Sequence, residues 1–369
     1  MSALKRRLID RISKSGAISV AEYMTLCLLD PVDGFYPTRD PLGSDGDFIT
    51  APEISQMFGE LIGIWCIQSW KNMGSPEKFN LVEMGPGRGI MMSDILRSIQ
   101  MDPACAKAVR VQLIEASAAL QAVQADSLKN ASAPVAWINA LNELDEAPTL
   151  IIGNEFLDCL PVRQFIQRDR FAGPSGWHER LVTVEGGELQ FATSAVAISN
   201  SVQAGLPKAH AQAKTEDLLE INLSIQQVLE AIAAHFSGKP GRALFIDYGP
   251  ERTEFGDSLQ ALKRHKKVGV FSDPGNTDLT ARVDFEALSD YARQIGLSVA
   301  GPVIQSEFLS KLGLEIRAMA LARAKPDAKA KIGRQLHRLT DEDEMGTLFK
   351  AICLQSPGLG IPLGFRGMA

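Results

Sequence analysis

Three glycines at alternate positions, Gly85, Gly87 and Gly89, are separated by Pro86 and Arg88 and preceded by an acid, Glu83. A residue without Cβ lets the backbone turn tightly and lie against a ligand. Dinucleotide sites use G-x-G-x-x-G to rest a pyrophosphate on a helix N-terminus, whereas the spacing here is G-x-G-x-G. An acid at position 83 would repel a pyrophosphate, yet it can accept hydrogen bonds from an ammonium or from ribose hydroxyls. A second acid, Glu115, closes the apolar run at 109–115. A third group, Asn154, Glu155 and Asp158, lies in the turn N-E-F-L-D. Two carboxylates and an amide that close can grip a guanidinium or an amine and hold it for in-line attack. The plainer alternative, acids that merely cap a helix after a strand, stays open.

S-Adenosylmethionine has an amino-acid end and no phosphate, so it suits the glycine turn better than a dinucleotide does. NAD and a ligand-free turn remain the alternatives. Glu115 is placed to accept hydrogen bonds from both ribose hydroxyls, which serves adenosylmethionine and NAD equally. Asn139 and Asn142 fall near where an adenine would lie. Cys159 has no evident His partner and reads as packing.

The elements around these residues give the fold class. Residues 79–84 are a short apolar strand suited to the middle of a parallel sheet, and Ile90, Met91, Ile95, Leu96 and Ile99 recur at helical spacing. Strand, glycine turn and helix open a doubly wound α/β fold. Further strands are expected at 109–115, 134–138, 149–153, 243–249, 297–300 and 347–354, with a helix at 285–295. Upstream, Leu4, Leu8, Ile9 and Ile12 form a helical stripe, and Ser19 caps a second helix. Two long loops with aromatics, at 30–37 and 46–53, are of the kind that folds over a ligand. Between 162 and 240 the alternation breaks. Strands are expected at 164–166 and 180–184 around a Gly/Trp loop at 172–177, then a helix from about Thr215 through Leu218, Ile221, Ile225, Val228, Leu229 and Ile232. Residues 256–284 look loop-rich, with Arg264, His265, Lys266 and Lys267 in a row. Such a run is a solvated face or a guide for an acidic protein partner. The expected organisation is an N-terminal helical and lid region (1–75), the first half of a Rossmann-like core (76–161), an inserted substrate or lid subdomain (162–240), and the second half of the core (241–369).

Of the 369 residues, 45% are hydrophobic and 22% charged, ordinary for a globular chain. A net charge of −6 gives no general pull toward nucleic acid. Five cysteines without a C-x-x-C pair, and five scattered histidines, argue for free thiols in a reducing compartment and against a metal site. No apolar run is long enough to cross a bilayer. The basic, amphipathic start resembles a mitochondrial presequence, but Asp10 interrupts it and folded chain is expected from Ile18. The expectation is a cytoplasmic bacterial protein.

Six blocks resemble the MidA-like methyltransferases: D-P-V-D-G-F-Y (30–36), G-D-F-I-T-A-P-E-I-S-Q-M-F-G-E (46–60), E-M-G-P-G-R-G (83–89), N-E-F-L-D-C-L-P-V (154–162), I-D-Y-G (246–249) and D-P-G-N-T-D-L-T-A-R-V-D-F (273–285). This family includes a mitochondrial complex I assembly factor that is a protein arginine methyltransferase. The resemblance implies a class I methyltransferase fold, with adenosylmethionine held by Glu83, Gly85, Pro86, Gly87, Gly89 and Glu115. The 47–53 loop, with Thr50 and Pro52, would close over it. It also implies that Glu155 and Asp158, with Asn154 positioning, are the acids that hold a substrate guanidinium. One departure is Arg282, where the family pattern has His. The implied partner is a protein substrate, a respiratory-complex subunit among the candidates, and a homodimer is left open. The rival readings are an assembly chaperone with little catalysis and an NAD-dependent oxidoreductase.

Overall fold

The computed structural model describes residues 1–38, 50–169 and 175–365. Its centre is a seven-stranded sheet whose spatial order is Ser298–Ile304, Phe349–Gln355, Gly241–Tyr248, Thr149–Asn154, Phe79–Met84, Val109–Ile114, Val135–Ile138. The strands from Gly241–Tyr248 to Val135–Ile138 run parallel. Phe349–Gln355 runs antiparallel to both of its neighbours. The expected doubly wound sheet is therefore present. Its chain order reverses between Phe79–Met84 and Thr149–Asn154, and ligands bind beyond the carboxyl ends of the strands at such a reversal. Those two ends carry Glu83 and Asn154.

Each face of the sheet has its own apolar layer, as strands buried on both sides require. One side holds the helices Gln56–Asn72, Ile90–Ile99, Gln305–Leu312 and Leu314–Ala324 around Trp65, Phe79 and Phe308. The other holds Leu223–Phe236 and Phe285–Gln294 around Phe245 and Phe285. The helix after the glycine turn is fixed by a close approach. A Cβ on Gly59 would lie 2.6 Å from Cβ of Asp94, and one on Gly63 would lie 2.6 Å from Cβ of Ser98. Only glycine lets the two backbones meet so closely.

The remaining chain builds a cover. Helices Ala3–Ser15 and Val20–Leu29 share a core with Val182 and Leu189 of the inserted sheet and with Ala261 and Leu279. The expected cap is present, Ser19 Oγ accepting from the Glu22 N–H at 3.0 Å. Ile18–Ser19 also pairs with Leu181 and Val182, a junction between the N-terminal region and the insertion that two residues of sequence could not signal.

Two expectations are corrected. Residues Leu218–Ile221 are not helix but a strand antiparallel to Arg163–Arg168, and the helix begins at Leu223. Leu218 and Ile221 fit helical spacing, yet it is Leu219 and Ile221 that are buried, the two-residue period of a strand. Asn222 then caps the helix, its Oδ1 accepting from the Ile225 N–H at 2.9 Å. The 256–284 segment holds a small antiparallel sheet of Gln260–Lys263, Lys266–Val268 and Asp278–Thr280. Arg264 and His265 form its hairpin tip, both at positive φ. Of the expected loops, 46–49 and 172–174 lie outside the described residues.

Candidate active site

A cavity of about 280 Å³ opens at the chain reversal. It is lined by Glu83, Gly85, Pro86, Gly87, Glu115, Thr50, Pro52, Asn154 and Glu155. Every one of these was expected at the site from sequence. Gly89 and Asp158 do not line it. Gly89 is the N-cap of the Ile90–Ile99 helix at φ 78°, and so shapes the turn from behind. The Asp158 residue is buried, and burial, with Asp247, Asp278 and Glu155 as neighbouring acids, holds its carboxyl well above the ordinary range. Arg282 is also elsewhere, hydrogen-bonded to Glu254 at 3.0 Å on a larger cleft of about 780 Å³.

The glycine turn is tied down by a residue that sequence reasoning missed. Gln124, wholly buried, donates to the Gly87 carbonyl at 2.7 Å and to Oε2 of Glu115 at 3.1 Å. Its own Oε1 accepts from the Trp137 indole at 2.8 Å. One amide thereby fixes the distance between the turn and the acid. Oε1 of Glu115 accepts from the Ser117 N–H at 2.7 Å, and burial raises the carboxyl above its ordinary range.

Glu83 is 2% exposed, and its Oε2 has no hydrogen-bond partner among the described residues. Burial pushes its carboxyl up to about 8. Asn154 Oδ1 is likewise buried and without a partner among them. Two acceptors facing one cavity fit a ligand that brings donors, such as an ammonium and hydroxyls. They do not fit a pyrophosphate, which brings only acceptors.

Glu155 sits at φ 51°, left-handed for a non-glycine residue, which costs about 1–2 kcal/mol. Several bonds hold it there. Its N–H donates to the Ile246 carbonyl at 2.8 Å, while Oε1 accepts from the Ala51 N–H at 2.9 Å and from Asn154 Nδ2 at 3.0 Å. Burial pushes its carboxyl up to about 7, against the pull of those two donors. The Ala51 bond also docks the short helix Ala51–Ile54, with Thr50 and Pro52, against the acid. From the cover, Tyr36 lines the cavity and donates from its hydroxyl to Asp278 at 3.1 Å.

The sequence pattern of the family described as "Putative S-adenosyl-L-methionine-dependent methyltransferase" matches residues 61–303. The chain belongs to this family. Protein arginine methyltransferase NDUFAF7, mitochondrial, of Homo sapiens is 33% identical over 96% of this chain and 83% of its own length. The Drosophila melanogaster homolog of that name is 34% identical over 95% and 84%. A crystal structure of a Burkholderia thailandensis protein bound to S-adenosyl-homocysteine superposes with a TM-score of 0.86. It is 26% identical and covers 99% of this chain and 96% of that one. The resemblance to MidA-like methyltransferases is thus borne out, as are the class I methyltransferase fold and S-adenosylmethionine as methyl donor. The oxidoreductase reading falls.

Proposed function

We propose that this methyltransferase modifies an arginine side chain of a protein, with Glu155 holding the guanidinium. The observation that carries the reading is a carboxylate, half-buried and held at a left-handed backbone position, on the same cavity as the glycine turn. The naming of the relatives supports the same acceptor. S-Adenosylmethionine, when bound, supplies the methyl group as a sulfonium. The chain's own work is alignment. Glu83 and Asn154 receive the amino-acid end, Glu115 the ribose, and Thr50 and Pro52 close one wall. A guanidinium spreads its electron density over three nitrogens and is a poor nucleophile. Charge-assisted hydrogen bonds to Glu155 orient it and concentrate density on the nitrogen that faces the donor. A carboxyl poised near 7 can also accept the proton that the product must shed. Asp158, a buried neighbour of Glu155, assists it.

The purified protein, incubated with methyl-tritiated S-adenosylmethionine and lysate from cells lacking it, and compared with that lysate alone, tests this reading. Label should appear in methylated arginine after hydrolysis of the protein fraction. Label in another residue, or in no protein, overturns it. A respiratory-complex subunit is the acceptor class to look for first, and the five free thiols support a reducing compartment such as the cytoplasm.

The proposed contact of Glu83 with an ammonium makes donor binding pH-dependent. With its carboxyl near 8, Glu83 is mostly protonated at pH 7 in the free protein and must lose that proton to pair. Affinity for S-adenosylhomocysteine should therefore rise with pH, approaching about tenfold per unit between about pH 6 and 7.5. That window lies below the range in which the ligand's α-amino group titrates. Glu83→Gln should weaken binding and flatten the slope. A wild-type affinity independent of pH would remove Glu83 from this role.

A further inference from the structure

The turn that presents Glu155 is built around a second, deeper carboxylate. Asp247 is the last residue but one of the Gly241–Tyr248 strand and is wholly buried. Its Oδ2 accepts from the Leu157 N–H at 2.8 Å and from the Asp158 N–H at 3.3 Å, and its Oδ1 from the Tyr248 N–H at 2.9 Å. The turn's peptide N–H groups converge as they do in the concave nests that bind anions. Here the anion is a side chain of the neighbouring strand. The same strand supplies the Ile246 carbonyl that holds the Glu155 N–H at 2.8 Å. Two adjacent residues of one strand therefore grip the 155–158 turn on both sides of its left-handed residue.

We propose that Asp247 is a positioning residue for methyl transfer, acting through Glu155 by clamping the backbone of the turn that carries it. This rests on the reading of Glu155 given above. The physical reason for an acid here is geometric. A neutral amide can offer one oxygen to the nest, but its NH₂ would then face another N–H, and the turn would relax. A residue at positive φ that loses its clamp returns to ordinary backbone space and takes its side chain with it. A displacement of about 1 Å at a reacting group costs about a hundredfold in rate.

The titratable groups set against Asp247 and Glu155 are Asp158 and Cys159 on the turn, Tyr248 beside it and Glu53 of the Ala51–Ile54 helix, while Asp278 and Tyr36 stand against Asp158 and Cys159. None of them is a cation, and burial raises the Asp247 carboxyl to about 7 as well; where Asp247 is ionised it raises Glu155, and Asp247→Asn removes that like charge. The pH at which transfer switches on should then move down.

The test compares wild type, Asp247→Asn and Glu155→Gln. The readouts are initial rates of tritiated methyl incorporation into lysate protein at saturating donor across pH, and calorimetric affinity for S-adenosylhomocysteine. Asp247→Asn is expected to lose about a hundredfold in rate and to shift the inflection to lower pH, with donor affinity within about threefold of wild type. Unchanged rate and inflection, or rate and donor affinity falling together, overturns the proposal. If Asp247→Asn does not fold, Asp247→Glu keeps a carboxylate in the nest and decides. Partial activity with a near-wild-type inflection supports the clamp, and inactivity per folded molecule overturns it. If Glu155→Gln retains transfer, the reading of Glu155 itself fails. If Glu155→Gln is dead while Asp247→Asn is normal, only the present inference fails.

Discussion

Exchange of Glu155 for Gln should lower methyl transfer about 1000-fold while leaving affinity for S-adenosylhomocysteine within about threefold. Glutamine has the same volume, and its Oε1 can still accept from the Ala51 N–H, so the docking of the Ala51–Ile54 helix survives. What is lost is the charge. A neutral amide neither localises the electron density of a guanidinium nor accepts its proton. The sign of the pH dependence follows. Burial raises the carboxyl to about 7, so the wild-type protein holds the inactive acid form at lower pH and gains activity as pH rises through that value. In Glu155→Gln the residual rate should show no such inflection. Saturating donor keeps the titration of Glu83 out of the profile. Initial rates together with calorimetric donor affinity check this. Donor affinity that collapses, with turnover per bound donor intact, would show that Glu155 serves the donor.

What the sequence reveals here follows from how local each signal is. The strands Phe79–Met84 and Thr149–Asn154 lie almost where composition puts them, because strands buried on both faces read as apolar runs whatever their neighbours are. The glycine turn is legible because positive φ at 85, 87 and 89 selects one residue type. The cavity-lining acids are legible for a similar reason, standing where such strands end. Asp158 shows the limit. It is three residues from Glu155 and of the same type, yet it does not line the cavity. Nothing in N-E-F-L-D encodes how the turn is anchored, because the groups that hold its backbone, Asp247 and the Ile246 carbonyl, arrive some ninety positions later. Gln124 escaped for the same reason. It looks like an ordinary helical residue until the fold brings it under Gly87. In the Leu218–Ile221 strand, local spacing favoured helix, and pairing with Arg163–Arg168 overrode it.

Gly87→Val should reduce affinity for S-adenosylhomocysteine more than about a hundredfold without unfolding the protein. Gly87 has φ 53°, and its carbonyl accepts the Gln124 amide at 2.7 Å. A β-branched residue is a steric outlier at that φ. The turn can hold valine under strain or rotate the peptide and surrender the Gln124 bond. The second course is the damaging one, because the freed amide also positions Glu115 at 3.1 Å. A single side chain would then disturb the turn and the ribose acid together, so the loss should exceed the left-handed penalty of about 1–2 kcal/mol for one residue. Gly87→Ala, which carries that penalty without β-branching, should fall between, at about tenfold weaker binding. Calorimetry gives the affinities, and thermal unfolding without ligand should move by only a few degrees. The large core around Trp65 and Phe308 does not include the turn. Valine at 87 with wild-type donor affinity would mean that the donor does not depend on the left-handed turn, and the assignment of Gly85, Gly87 and Glu115 would fall with it.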